Sequence, residues 1–343
     1  MIMAEHNTQT AMAREIGEIP AGAQQLVNRF DEIQSLAERI GREQPRVVAV
    51  CGRGSSGNVG VYLRYLFETH LRLLVSPTAP SVVTTYRRPP DMTGALFVLI
   101  SQSGRSPDLV MATEVARTAG ALTLAIVNDG ASPAADAADL VLPIGAGPEK
   151  AVAATKTVAL SMVATSLLAA ALAEDAGLSE ALRRLPDRLQ QALKCDWSAW
   201  GESIAAAPAA FVAARGYGLG TAREIALKAT ETMQLPALGF SAAELRHGPR
   251  AAVKPETPVL ILRQNDESAS TVDDLAHDLR AAGETVFLAG GPASALPWIG
   301  DDHPLTDVIA MLVPAYRAIE AAARRRGLDP DRPEHLTKVT QTL

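Results

Sequence analysis

The chain has 343 residues, 48% hydrophobic and 20% charged, which is enough for two domains of ordinary size with substantial cores. Its net charge of −6 argues against non-specific nucleic-acid binding, and aromatics at 4% leave Ala, Val and Leu to fill the interior. Six lysines stand against 26 arginines, so each lysine is set apart from a surface that otherwise uses arginine.

Cys51 and Cys195 show no metal or redox spacing and suit a reducing cytoplasm. The first 30 residues carry acids and no continuous apolar core, so no secretory signal is read. The longest uncharged run, 157–173, has 17 residues, short of the ~20 that span a bilayer, and predicts a helix buried on most sides.

In chain order, residues 1–9 read as frayed, and a short helix over 11–17 is expected to break at Pro20. Leu26, Phe30, Ile33, Leu36, Ala37 and Ile40 recur at helical spacing, predicting one helix that Gly41 ends. A buried strand over 47–51 leads into Gly52-Arg53-Gly54-Ser55-Ser56-Gly57 and a helix over about 58–70. A short strand near 73–75 and an irregular segment to Pro89-Pro90 follow. Residues 96–108, LFVLISQSGRSPD, then turn from a buried strand to a small, hydroxylic loop and a helix start. Ser101, Gln102, Ser103 and Ser106, backed by the positive end of a helix dipole, suit a phosphate; an ordinary βα loop with a Ser N-cap is the alternative. Further strands are predicted over 122–127 and 140–143, then a loop over 145–154. A charged, amphipathic connection over 174–200 is expected to break at Pro186.

There the pattern restarts. VVAVCGRGSS at 47–56 aligns with FVAARGYGLG at 211–220, placing Gly52 and Gly54 on Gly216 and Gly218. Val98-Leu99-Ile100-Ser101-Gln102 aligns with Leu260-Ile261-Leu262-Arg263-Gln264. This is an internal duplication of one βα unit, which predicts an α/β fold: a parallel sheet covered by helices on both faces, twice over. The first copy's loop has Ser101, Ser103 and Ser106; the second copy's has Arg263, Asn265 and Glu267, and a glutamate repels a phosphate, so a phosphate is expected in the first copy alone.

The helix after Gly220 carries Glu224, Lys228 and Glu231 on one face. The spacing suits a solvated row of ion pairs. It also suits proton abstraction beside a carbonyl, because the helix starts at the carboxyl edge of a parallel strand. His247 is pinned by Gly248-Pro249, and the C-terminus, punctuated by Pro330 and Pro333, ends near Lys338. The glycine loop at 52–57 lacks the spacing and the acidic partner of a dinucleotide site. No nicotinamide, other cofactor or metal is expected.

Taken together, Cys51-Gly52, Ser101-Gln102-Ser103-Gly104, residues 152–156, Glu224 to Glu231, Glu244-Leu245-Arg246-His247-Gly248-Pro249 and the tail to Lys338 resemble the sugar isomerase (SIS) family. The duplicated arrangement is similar to the isomerase half of glucosamine-6-phosphate synthase. The resemblance implies two tandem flavodoxin-like three-layer domains. The expected bounds are 1–34 for an N-terminal helical segment, 35–175 and 204–343 for the domains, and 176–203 for a linker helix. It implies that Ser101, Gln102, Ser103 and Ser106 hold a sugar phosphate beside Gly52, Gly54 and Ser55. Glu231 would move a proton between C1 and C2, and His247 would assist ring opening. Lys338 would form a Schiff base with, or lie against, the open chain, and Lys228 would hold hydroxyls or enediolate charge. Val152, Ala154, Glu224 and Thr337 would line the sugar. The family's histidine loop reaches into the neighbouring subunit's site, which implies a homodimer.

The chain also departs from the synthase pattern. No glutaminase domain is expected, and the chain has Arg53-Gly54 where the synthase has Thr-Ser and Ala154 where the synthase has Ser. GRGSS and VAATK look more like the family's stand-alone amino-sugar-phosphate deaminases. The expectation is a cytoplasmic enzyme converting glucosamine 6-phosphate to fructose 6-phosphate and ammonia. The alternatives are galactosamine 6-phosphate or a fructosamine phosphate as substrate, or a non-catalytic sugar-phosphate-binding regulator. No nucleic-acid or membrane partner is expected.

Overall fold

The computed structural model describes residues 9–338; the expectation of fraying over residues 1–8 lies outside that range. The first sheet contains β1 (Val47–Cys51), β2 (Leu74–Pro77), β3 (Ala95–Ser101), β4 (Leu122–Val127) and β5 (Leu140–Pro143), all parallel, in the order β2-β1-β3-β4-β5. The second contains β6 (Ala210–Ala214), β7 (Ala237–Ser241), β8 (Val259–Leu262) and β9 (Val286–Ala289), in the order β7-β6-β8-β9. The duplication is therefore topological over four strands. Where the first sheet has β5, the second has a single parallel bridge from Ala289 to Leu296. Every residue of β3 is buried, as expected of a central parallel strand with helices on both faces.

The N-terminal helices are α1 (Ala11–Gly17), α2 (Ile19–Val27) and α3 (Phe30–Glu43). Pro20 does not break the chain into a loop. It sits in the first turn of α2, where a missing N–H costs no hydrogen bond. The helix predicted through 26–40 is two helices, which bury one continuous apolar stripe against a common neighbour and so share one period. Arg29 turns the chain between them, with Nε 2.8 Å from Glu32 and Nη1 2.8 Å from the Pro143 carbonyl. Gly41 lies inside α3, and Gln44, at φ 45°, closes it.

Next come α4 (Gly54–His70), α5 (Pro80–Thr84), α6 (Pro107–Thr118), α7 (Pro133–Ala137) and α8 (Lys156–Leu172). The helix α4 starts earlier than expected because Gly54, at φ +52°, turns the glycine loop directly into it. The one-turn helices α5 and α7 were not expected; five residues are too few for a period. Helix α8 is buried continuously from Lys156 to Ala170 and packs against α2, α3 and α4, the behaviour of a helix that is apolar all round.

The connection between the sheets is α9 (Ala176–Ala192) and α10 (Ser198–Ala206). Pro186 lies inside an unbroken α9, contrary to expectation. An interior proline costs about 3 kcal/mol. Leu178, Leu182, Leu185 and Leu189 are all fully buried on the same helix, and at about 1.5–3 kcal/mol each their burial outweighs that cost.

The remainder is α11 (Gly218–Met233), α12 (Ala242–Leu245), a 3-10 turn at Gly248–Ala252, α13 (Ala269–Ala281), α14 (Pro304–Ala310) and α15 (Leu312–Arg325). One apolar core runs through both copies, from Val48 and Leu66 to Val212 and Tyr316, with a smaller cluster on the outer face of each sheet. Equivalent helices α4 and α11 meet at its centre. Gly220 permits the approach, since a Cβ there would lie 2.6 Å from the Asn58 carbonyl oxygen. Among the described residues no helix is long and apolar enough to cross a membrane.

Candidate active site

Strand β3 ends at Ser101, and the chain turns through residues 102–106 into α6. Gly104, at φ +60°, makes the turn, and a Cβ there would come within 2.2 Å of Ser132 Oγ. Ser101 Oγ accepts from Gly104 N at 3.1 Å, and Ser103 Oγ accepts from Arg105 N at 3.2 Å, so the side chains shape the loop as well as line it. Ser106 is the N-cap residue of α6, yet its hydroxyl makes no capping bond. The result is hydroxyls and backbone N–H groups at the positive end of a 12-residue helix, an arrangement suited to an anion.

The second element of the site is the face of α11. Glu224 and Lys228 are each 1% exposed, so this is not a solvated row. Lys228 Nζ lies 3.6 Å from Glu224 Oε1 and bonds Glu231, whose side chain remains 23% exposed. Glu224 also accepts from Ser55 Oγ (3.2 Å), Asn58 Nδ2 (3.0 Å) and the Tyr316 hydroxyl (3.2 Å). Burial raises the Glu224 pKa, although Lys228 and Asn58 pull it the other way. Burial works against the Lys228 ammonium, but Glu224 and Glu231 outweigh it and the net shift is upward, so the lysine stays charged. Burial, then the neighbouring Glu224, hold Tyr316 as a neutral phenol that donates.

The third element is the tail. Lys338 Nζ donates to Glu149 Oε2 at 3.0 Å and to the Ala151 carbonyl at 2.7 Å. Glu149 also accepts from Thr155 N, Thr157 N (both 3.1 Å) and Thr157 Oγ1 (2.7 Å) at the start of α8. Val152 N donates to the Asp331 carbonyl, and the Asp331 carboxylate caps α1 by accepting from Ala11 N and Met12 N. The tail is thereby held along residues 149–152. After Glu224 and Glu231, Glu149 is a further carboxylate whose charge favours the Lys228 ammonium.

These elements are joined by the start of α4. Ser55 bonds Glu224, and the residue two before it, Arg53, pairs with Asp108 in the first turn of α6 at 3.1 Å. Ser55, expected among the phosphate ligands, thus directs its hydroxyl to the carboxylate row. Gly52 and Gly54 carry the loop between them, and Gln102 and Ala154 are partly buried. Thr337 is exposed immediately before Lys338. His247 is not brought to the row within one chain. It is exposed, with Nδ1 2.7 Å from the Ala243 carbonyl, and among the described residues no ion pair or hydrogen bond ties it to Glu231 or Lys338. An apolar hollow of about 310 Å³, lined by Val47, Phe97, Met92 and Ala112 on the outer face of the first sheet, contains none of these residues.

Sequence reasoning gave no site role to Asn58, Tyr316, Asp108 or Glu149. Tyr316 carried one signal: it is one of five tyrosines, set in an Ala-rich helix.

The doubly wound duplication, with a hydroxyl-rich turn in one half and the Glu224–Lys228–Glu231 row in the other, is the arrangement of a duplicated sugar isomerase domain. The family model described as the SIS domain matches residues 43–171 and 203–296, and the chain belongs to that family. The glutamine–fructose-6-phosphate aminotransferase (isomerizing) of Methanothermobacter thermautotrophicus is 33% identical over 95% of this chain and 56% of its own length; the chain spans little more than half of that relative. A solved Silicibacter pomeroyi DSS-3 protein, provisionally classed as a phosphosugar isomerase, is 40% identical with a TM-score of 0.90 over 94% of this chain and all of its own. The glucosamine-6-phosphate deaminase of Thermotoga maritima has a TM-score of 0.81 at 23% identity, covering 97% of this chain and all of its own, a likeness of fold.

Proposed function

We propose that the protein is an aldose–ketose isomerase and deaminase of amino sugar 6-phosphates, taking glucosamine 6-phosphate to fructose 6-phosphate and ammonia. The observation that carries this reading is the Glu224–Lys228–Glu231 row, buried at Glu224 and Lys228 and joined through Ser55 and Arg53 to the serine turn. The turn takes the phosphate and fixes the open-chain sugar by its remote end, which turns proton transfer at C1 and C2 into a positional problem.

Glu231, the accessible carboxylate of the row, removes the C2 proton of the open-chain aldehyde and delivers a proton to C1. The C2–H electron pair passes through an enaminol, with Lys228 facing the negative charge that develops on oxygen. Protonation at C1 leaves an imine at C2. Water adds there and ammonia leaves, giving the ketose phosphate with no net change in oxidation level. Lys338, on its Glu149 anchor, lies against the open chain, with Val152, Ala154 and Thr337 around it. Ring opening belongs to His247, which is exposed on this chain and would act across a homodimer, as the partner subunit's His247.

The test is a coupled assay for ammonia and ketose phosphate on glucosamine, galactosamine and fructosamine 6-phosphates. Glucosamine 6-phosphate is expected to be the best substrate. Glu231→Gln is expected to lower kcat about 10²–10⁴-fold with little change in KM. A wild-type chain that releases neither product, or a Glu231→Gln variant of undiminished kcat, overturns the reading.

A further inference from the structure

We propose that Arg53, held in place by Asp108, is the cation that recognises the phosphate and makes this site select phosphorylated over unphosphorylated sugars. The proposal rests on reading the turn at 102–106 as the phosphate site, and goes further by naming a charged group that the serines themselves do not provide.

In the order β2-β1-β3-β4-β5 the winding reverses between β1 and β3, and ligands of open α/β sheets bind in the crevice at the carboxyl ends of those two strands. The loop after β1 carries Arg53, and the turn after β3 leads to Asp108. Arg53 Nη2 stands 3.1 Å from Asp108 Oδ1, so the pair spans the crevice from one lip to the other. The Asp108 side chain is 8% exposed and the Arg53 side chain 35%, so the carboxylate is the more deeply set of the two and anchors the arginine. A planar guanidinium can serve a carboxylate along one edge and a phosphate along another.

The donors of the turn itself are neutral hydroxyls and N–H groups. Its own cation, Arg105, is 58% exposed on its side chain and leans away to Asp129 at 3.4 Å. A dianionic phosphate leaving water calls for a fixed positive charge, and Arg53 stands where one is needed. The second copy supplies the control. At the places equivalent to Arg53 and Asp108 it has Tyr217 and Ser270, and its turn carries Asp266 and Glu267. The cation and its carboxylate anchor occur together in the copy whose turn suits an anion and are both missing from the copy whose turn does not. Asp108 is a positioning residue: its own charge repels phosphate, and its contribution is to hold Arg53 across the crevice.

The experiment compares full-length wild type, Arg53→Met, Arg53→Lys and Asp108→Asn. The readouts are KM and kcat for glucosamine 6-phosphate and the inhibition constant of inorganic phosphate; phosphate binding by calorimetry serves where turnover is too low. Arg53→Met is expected to raise KM and weaken inorganic phosphate by the same factor, roughly tenfold to hundredfold, with kcat changed less than about fivefold. Arg53→Lys keeps the charge and loses the fork, so a rise of about three- to tenfold is expected. Asp108→Asn is expected to raise KM and the phosphate constant together, with kcat held. If Arg53→Met fails to fold, Arg53→Lys decides by the same two constants. Unchanged KM and unchanged phosphate affinity in the Arg53 variants overturn the proposal, as does a fall in kcat alone. A wild type that binds phosphate through Arg53 yet makes no ketose phosphate defeats the enzymatic reading and leaves this one standing.

Discussion

The two copies share a backbone plan and use it oppositely. After β3 the turn is built from small residues, and Ser106 caps nothing with its side chain. After β8 the equivalent turn is filled by its own side chains. Arg263 pairs with Asp273 at 3.2 Å, and Gln264, fully buried, donates to the Arg215 carbonyl (2.6 Å), Asp266 (3.1 Å) and Ser268 (3.2 Å). The central helices diverge in the other direction. At the α4 positions equivalent to Glu224, Lys228 and Glu231 stand Gly60, Arg64 and Phe67, and Arg64 merely pairs with Glu68 at the surface, with 51% of its side chain exposed. A duplicated fold can thus diverge at a loop in one copy and along a helix in the other, because the loop and the following helix at a strand's end vary independently of the sheet that carries them.

The sharpest way to break that contrast is to remove a cation from each central helix. Lys228→Met strips a buried charge pair of one partner and is expected to cost about 3–5 kcal/mol of unfolding free energy. The loss should shrink at acid pH, where Glu224, its carboxyl already held upward by burial, takes a proton. Arg64→Met removes an exposed pair and is expected to cost less than about 1 kcal/mol. Urea unfolding of both variants at pH 5 and pH 8 checks this, and equal losses would dissolve the distinction.

A somewhat smaller effect probes an ion pair between α9 and the second copy. Arg188 on α9 bonds Asp307 of α14 at 2.7 Å. Burial pushes Asp307 up to about 6, against the pull of Arg188. An unfolded aspartate titrates near 3.9. The native state therefore holds this proton more tightly than the unfolded chain does. The contribution to stability is full below pH ~4 and is lost as pH rises through about 6, up to about 3 kcal/mol in all. The stability of wild type relative to Asp307→Asn should fall by that order between pH 4 and pH 7. A flat difference would mean that the carboxyl is ordinary.

The smallest effect compares two serines at equivalent helix starts. Ser106→Ala is expected to raise KM for the phosphosugar about tenfold and leave the melting temperature unchanged. Ser268→Ala breaks the 2.6 Å bond to Asp266 and is expected to lower stability by about 1 kcal/mol with KM within twofold. Steady-state kinetics and thermal unfolding on the two variants decide which copy holds the anion.

Much of this was legible in the chain. Strands 122–127 and 140–143 were read to the residue, because buried parallel strands appear as continuous apolar runs with abrupt polar ends. The repeat announced itself through paired glycines, which mark turns that side chains cannot make. The charges of α11 were found by spacing, but spacing alone does not distinguish a buried row from a wet one. That depends on what packs across it: Ser55 and Asn58 from α4 and Tyr316 from α15, 92 to 169 residues away in sequence. Pro20 and Pro186 misled for the same reason in reverse. Local propensity marked them as breaks, while a first-turn position in one case and a buried leucine face in the other made each of them tolerable.

What the amino-acid order alone determined was the alternation of strand and helix, its recurrence, and which loop was rich in hydroxyls and which helix in charge, since each of these is a property of neighbours along the chain. Tertiary structure alone decided that Glu149 anchors Lys338, that Glu224 is buried and bridged, and that Arg53 meets Asp108 across the crevice. These follow from the packing of α4 on α11 and of the tail along residues 149–152. Desolvation and charge pairing act through space, over distances that no local pattern in the sequence encodes.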